Sequence, residues 1–247
     1  MPLSESLIIE LDTIDSTNNY AMRIIDADKA QPGLTIVAKS QEAGKGQRGK
    51  TWFDAAGHSL LMSIITVPKE VISRQFVFNA SIAVAVAGIL EQLYKNWNIR
   101  IKWPNDIIIN DKKAGGILIE NVLRGSDWTY SVIGIGLNVN QVNFPTDLPH
   151  ATSLKKESKN NFDITLLRNN IRDQILTTIT NLLPPGPCMQ LYNNYLYKRG
   201  RKQLFGNANR QWEATILDAH PDGTLEVQLE DGETVFYWHG QVVWEWG

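Results

Sequence analysis

A chain of 247 residues, 43% of them hydrophobic, has material for one large domain or for a domain plus a small module. Its formal net charge of −2 argues against a dedicated nucleic-acid binder, which carries an excess of basic residues. The lone Cys188 excludes an internal disulfide framework, and Met-Pro-Leu-Ser-Glu-Ser at the start lacks the basic and apolar regions of a secretory signal. With Ala80–Leu90, the most apolar run, too short to cross a bilayer, these features predict a cytoplasmic protein with neither a membrane nor DNA as partner.

In chain order, Leu7–Leu11 reads as a short strand running into Asp15-Ser-Thr-Asn-Asn19, which is rich in helix-cap residues. A helix is predicted over Asn19–Ala27, with Met22 and Ile25 inward, followed by strands at Leu34–Lys39 and Leu60–Val67. Between those strands lies Gln41-Glu-Ala-Gly-Lys-Gly-Gln-Arg-Gly-Lys-Thr-Trp52, in which Gly44, Gly46 and Gly49 alternate with the cations Lys45, Arg48 and Lys50. Free N–H groups and cations on a glycine-rich loop suit a polyphosphate or an acyl phosphate. The glycines also spell G-x-G-x-x-G, but a dinucleotide site needs a helix after the loop. Here the β-rich run Ser59–Val67 follows, with no helical start after Gly49.

Phe78–Trp97 is predicted helical, with Ile82, Val86, Ile89, Leu90 and Leu93 on a core-facing stripe. Ile99–Trp103 alternates as a half-buried strand; Pro104-Asn-Asp106 bends the chain, and Ile107–Ile109 resumes it. Asn110-Asp-Lys-Lys113 is a predicted hairpin turn before the strands Ile117–Glu120 and Thr129–Leu137. A polar loop at Ser158–Asn161 precedes a helix capped by Asp163, carrying Ile164, Leu167, Ile171, Ile175 and Ile179 and ending before Pro184-Pro-Gly-Pro187. After a short helix at Gln190–Tyr197 and a basic hinge at Lys198–Lys202, the pattern changes to short strands and tight turns, a small all-β barrel. Its four tryptophans, Trp212, Trp238, Trp244 and Trp246, read as core. The expected fold is α+β, a mostly antiparallel sheet with helices on a face, over residues 1–200, plus the barrel over 201–247.

Gly44-Lys-Gly-Gln-Arg-Gly-Lys-Thr-Trp52 resembles the glycine/arginine signature of biotin protein ligases, usually G-R-G-R-x-G-R-x-W. Further matches follow in that family's order: Ser16-Thr-Asn18, Lys102-Trp-Pro-Asn-Asp106, Lys113-Ala-Gly-Gly-Ile-Leu-Ile-Glu120, Ile133-Gly-Ile-Gly-Leu-Asn138 and Ala151-Thr-Ser-Leu154. The resemblance implies a class II synthetase-like fold with an SH3-like C-terminal barrel. It also implies an ATP-dependent enzyme that activates biotin as biotinyl-5'-AMP and transfers it to a lysine of a carboxylase's carrier domain. The match starts within the first few residues, so the expected form is one without a DNA-binding domain, monomeric or homodimeric.

On the matching residues, Ser16, Thr17, Asn18 and Gln41 would line the biotin end with Gly44, Lys45, Gly46 and Gln47, and Trp52 would close it. Lys113 would contact the biotin carboxylate and later the adenylate phosphate, with Gly116 permitting close approach. ATP would meet Lys45, Arg48, Lys50, Lys102 and Asn105, with Asn138 near adenine or ribose. Lys113, Lys102 and Arg48 would carry the catalytic charge, and Asp106 would either organise Mg2+ or only fix a turn. His58, His150, His220 and His239 are scattered without metal spacing, and no nucleophile motif occurs. Gln47 stands where an arginine is usual, and Lys45 and Lys50 replace arginines, keeping charge but losing the bidentate fork. Lipoate or octanoate transfer is the rival within this fold, and a non-catalytic cofactor-binding regulator the rival outside it. The set of lysines speaks against the regulator.

Overall fold

The computed structural model describes residues 7–246, so the opening hexapeptide lies outside the described residues. The first half runs β1 (Ile8–Ile14), α1 (Thr17–Asp26), β2 (Thr35–Gln41), β3 (Ser59–Thr66), α2 (Gln75–Leu93), β4 (Ile99–Lys102), β5 (Asp106–Ile109), β6 (Lys112–Arg124) and β7 (Asp127–Asn138). The strands form one seven-stranded sheet ordered β1-β2-β3-β7-β6-β5-β4, and only the β1–β2 pairing is parallel. The expected α+β layout is present. The β5–β6 turn is tighter than the sequence suggested: Asn110 and Asp111, at φ 49° and 65°, make a two-residue connection, and Lys113 already belongs to β6.

Alternation along each strand gives the sheet two different faces. Leu60, Met62 and Ile64 of β3 join Ile117 of β6 and Ile133, Ile135 and Leu137 of β7 in the main core. Ile65 of β3 and Val132 of β7 point the other way and meet Ala21 and Ile25 of α1. The main core is capped by α2, which is buried nearly all round rather than along one stripe. The reason is coverage: α3 (Leu154–Ser158) is followed by α4 (Ile164–Thr180) and α5 (Pro185–Tyr195), and the latter two pack on α2 from outside. Residues 72–93 are long and apolar enough to span a membrane, more than the run Ala80–Leu90 suggested, and most of this stretch is buried within the protein. The helix also stops at Leu93, short of Trp97, because Tyr94 adopts extended backbone. Pro184-Pro-Gly-Pro187 does not precede α5 but opens it, since a helix's first turn needs no N–H partner.

The second sheet holds β8 (Lys202–Gly206), β9 (Gln211–Ala219), β10 (Leu225–Leu229), β11 (Thr234–Tyr237) and β12 (Val243–Trp244), ordered β11-β10-β9-β8-β12. All its pairings are antiparallel. Phe205, Ile216, Leu225, Val227 and Trp244 share one continuous core with the large sheet, so this unit is packed onto the first.

Two substitutions on α4 should separate capping from packing. Asp163 accepts hydrogen bonds from the Thr165 and Leu166 amides at 2.8 and 3.0 Å, and Asp163→Ala should cost about 1 kcal/mol. Ile171 is fully buried, and Ile171→Ala should cost about 2–5 kcal/mol in urea unfolding. A larger loss for the cap than for the core position would contradict this account.

Candidate active site

Strand register places one row of residues straight across the sheet on the α1 side. Leu61 of β3 pairs with Gly136 of β7, Gly136 with Gly116 of β6, Gly116 with Asp106 of β5, and Asp106 with Lys102 of β4. In the next row Ser63 pairs with Gly134, and Gly134 with Leu118. The three glycines remove side chains where the sheet would otherwise be covered, leaving a trough. Trp52 lies in it: a Cβ on Gly136 would sit 2.7 Å from the indole, and one on Gly116 would sit 3.4 Å away. Asn18 fills the space over Gly134, where a Cβ would overlap its side-chain oxygen.

The end of the trough under α1 is a hydrogen-bonded polar cluster. The Ser63 hydroxyl lies 2.6 Å from Asn18 Oδ1 and 2.7 Å from Thr17 Oγ1. The Thr17 amide and hydroxyl lie 2.8 and 3.1 Å from Gln41 Oε1, and Asn18 Nδ2 donates to Glu120 at 2.8 Å. Ser16, Thr17 and Asn18 are all buried, so helix N-terminus and site wall are the same residues. Two further buried polar atoms of the wall, Gln47 Oε1 and Trp52 Nε1, have no protein partner. Leaving such atoms unpaired costs roughly 1–3 kcal/mol each, so a ligand with complementary groups gains there.

The other end is cationic. Lys113 Nζ is 2.7 Å from Asp106 Oδ1, and its backbone is held by the His150 carbonyl and the Thr152 amide, both at 2.8 Å. Lys102 is buried, donates to the Trp244 carbonyl at 2.9 Å and sits 4.0 Å from the centre of the Trp246 ring. Burial lowers its pKa to about 8, with Lys113 and Lys50 adding to the shift and Asp106 and Glu245 opposing it. Lys45 is 3.6 Å from Glu120, nearer the polar end. Between β4, with Lys102, and β7, with Gly134 and Gly136, lie three strand spacings, about 14 Å. Polar and cationic ends open into one cavity of about 660 Å³. Such a cavity suits an elongated ligand with a hydrogen-bonding head and an anionic tail.

The cavity gathers Ser16, Thr17, Asn18, Gln41, Lys45, Gly46, Gln47, Arg48, Lys50, Trp52, Lys102, Asn105, Asp106, Lys113 and Gly116 from the residues expected at the site. Gly44 and Asn138 are not in the wall. Gly44 serves loop closure instead, its carbonyl accepting from the Trp52 amide at 2.9 Å. Asn138 is buried behind the site, donating to the Thr152 carbonyl at 2.9 Å and so supporting the segment that holds Lys113. Arg48 reaches the C-terminal sheet rather than pointing freely inward, donating to the His239 carbonyl at 2.8 Å over Gly240. Asp106 is engaged by Lys113, and among the described residues no three His, Cys, Asp or Glu side chains converge as metal ligands, so the residues do not form a Mg2+ cage.

The sequence reading passed over Ser63 and the segment from His239 to Trp246, and it placed Glu120, Gly134 and Gly136 in matched motifs without a role at the site. Gly134 and Gly136 had a signal in their spacing of two, which puts both on one strand face. Ser63 had one too, as a polar residue inside an apolar strand. Trp244 and Trp246 had none, since an aromatic in a small barrel reads as core.

The fold and sequence match known proteins. A biotin protein ligase of Aquifex aeolicus, in complex with biotin and ATP, superposes with a TM-score of 0.79 at 21% identity, covering 97% of this chain and 99% of that one. The ligase of Leishmania major, in complex with biotinyl-5-AMP, gives 0.63 at 25% identity over 95% and 99% of the two chains. The bifunctional ligase/repressor BirA of Bacillus spizizenii is 29% identical over 93% of this chain and 72% of its own length. Human biotin–protein ligase is 28% identical over 87% of this chain, which spans only 31% of that protein. The model of the biotin/lipoate A/B protein ligase family matches residues 10–138, from within β1 to the last residue of β7 and so every strand of the trough, and the chain belongs to that family.

Proposed function

We propose that this protein is an ATP-dependent biotin ligase that forms biotinyl-5'-AMP and transfers biotin to a lysine of a biotin carboxyl carrier domain. The observation carrying the reading is the trough itself, with neutral polar groups under α1 and two lysines at the far end. A ureido ring has N–H and C=O groups that need partners once buried, and Ser16–Asn18, Ser63 and Gln41 offer them. A carboxylate at the other end of the same molecule falls near Lys113 and Lys102. That the L. major structure was solved with biotinyl-5-AMP supports a biotinyl adenylate as the ligand class.

In the first half-reaction a biotin carboxylate oxygen bonds to the α-phosphorus of ATP, and the bond to the bridging oxygen breaks, releasing pyrophosphate. Lys113 and Lys102 stabilise the negative charge that builds on the phosphoryl oxygens, and Asp106 orients the Lys113 ammonium. Trp52 covers the mixed anhydride and excludes water. In the second half-reaction a lysine amine of the carrier domain attacks the acyl carbon, loses a proton, and AMP departs with the bonding electrons. Magnesium would enter this reading with ATP as the counter-ion of its charge rather than in a protein-built site.

Pyrophosphate–ATP exchange with biotin, lipoate and octanoate offered separately should proceed with biotin alone. Exchange with lipoate and none with biotin would overturn the substrate assignment.

Lys113→Ala removes a cation from a half-buried position at one end of β6, so folding should be little affected while adenylate formation falls roughly 100- to 1000-fold. Single-turnover measurements at saturating biotin and ATP, with thermal melting as the control, check this. A folded variant within about threefold of wild type, under roughly 0.7 kcal/mol, would take Lys113 out of the mechanism.

A further inference from the structure

The C-terminal sheet brings its last strand across the cationic end of the cavity, and the contact is specific to one side chain. Lys102 is only 7% exposed although it is a lysine. Its ammonium donates to the Trp244 carbonyl at 2.9 Å and lies 5.2 Å from the Trp244 ring centre and 4.0 Å from that of Trp246. Both rings are themselves held. Trp246 stacks on His150 with centroids 4.9 Å apart and planes 11° from parallel, and Trp244 stacks on Tyr197 at 5.9 Å and 27°. An ammonium carries three N–H donors, and the Trp244 carbonyl is the one acceptor that Lys102 meets among the described residues. A buried cation with unused donors facing a cavity calls for an anion there.

Ring faces suit this task better than a carboxylate would. They stabilise a desolvated cation through the quadrupole without neutralising it, so the charge remains available to a ligand. An ion pair in the same place would consume it, as Asp106 does in part for Lys113.

We infer that Trp246, with the Trp244 carbonyl, is a positioning residue for Lys102, and that the C-terminal sheet thereby completes the anion-binding end of the active site. The inference deepens the ligase reading, on which the assignment of Lys102 to phosphate rests; the positioning of Lys102 by Trp246 does not depend on it. Charged and titratable groups facing Lys102 are Asp106 on β5, Lys113 on β6, Lys50 on the glycine loop and Glu245 on the C-terminal segment, with His150 behind Trp246. Because burial holds the Lys102 pKa near 8, its charge is lost just above neutral pH, and rate should fall along an alkaline limb near that value.

The test uses the full chain with Trp246→Leu and the conservative Trp246→Phe. Trp246→Leu should lower biotin-dependent pyrophosphate exchange about tenfold or more at pH 7, while moving the alkaline limb downward, since Leu keeps the surroundings apolar and removes the ring face that stabilises the ammonium. Trp246→Phe should recover to within about threefold and keep the limb near its original place. A Leu variant whose limb coincides with wild type, or a Phe variant as impaired as Leu, would overturn the assignment. A readout independent of activity comes from the 13Cε resonance of Lys102, identified by its loss in Lys102→Arg. It should titrate near pH 8 in wild type and lower in Trp246→Leu. A midpoint that is the same in wild type and Trp246→Leu overturns the positioning even in a fully active enzyme. The expected titration without biotin-dependent exchange retains the positioning and sinks the ligase reading instead.

Discussion

A strip of sheet without side chains is the constraint from which the rest of this structure follows. Gly116, Gly134 and Gly136 are adjacent across β6 and β7, and a Cβ at either of the last two would collide with Asn18 or Trp52. With the strip open, an indole and a buried amide can lie against the backbone. The opposite face of the same strands is filled with Ile117, Ile133, Ile135 and Leu137, so the trough rests on a rigid floor. One face of the sheet thus carries the main core, and the other carries the trough beside a smaller apolar cluster under α1.

Charge is distributed along the trough by burial rather than by number. The chain is close to neutral overall, so attraction for an anion has to be local. Lys113 is half-buried and shares its charge with Asp106, whereas Lys102 is almost fully buried and shares it with ring faces and one carbonyl. The two cations therefore differ in their surroundings: one is already oriented by a carboxylate, the other is left unneutralised. Arg48 takes a third course, tying the glycine loop to the His239 carbonyl, so the loop and the C-terminal sheet meet at the mouth of the same cavity.

That meeting explains why the C-terminal unit is difficult to interpret from composition. Trp244 and Trp246 belong to an aromatic cluster with Tyr197 and Phe205, as core residues would, yet their outer surfaces face Lys102. A large aromatic can do both because its area is shared between two neighbours. The position of Asn138 illustrates the opposite case. It belongs to a matched motif, but its side chain works from behind, holding Thr152, which holds Lys113. Motif membership marks residues that matter to a site without saying which of them touch a ligand.

Much of the architecture was legible locally. Strand alternation, the Asp163 cap, the Asn110-Asp111 turn and the glycine loop are properties of short stretches, set by backbone sterics and hydrogen-bonding chemistry that neighbours in sequence carry with them. Element ends were less legible: α2 stops four residues early and α5 begins five residues early, because packing and the tolerance of proline in a first turn decide them. The sequence by itself determined the α+β class, through strand alternation and helical stripes, and its resemblance to biotin ligases pointed to Lys102, Lys113 and the polar trio at the start of α1, which the fold brings to one cavity. Only the tertiary structure decided which charges are paired and which are left open, because that depends on contacts such as Lys102 to Trp244, 142 positions apart, which exist only once strand register and the packing of the second sheet bring them together.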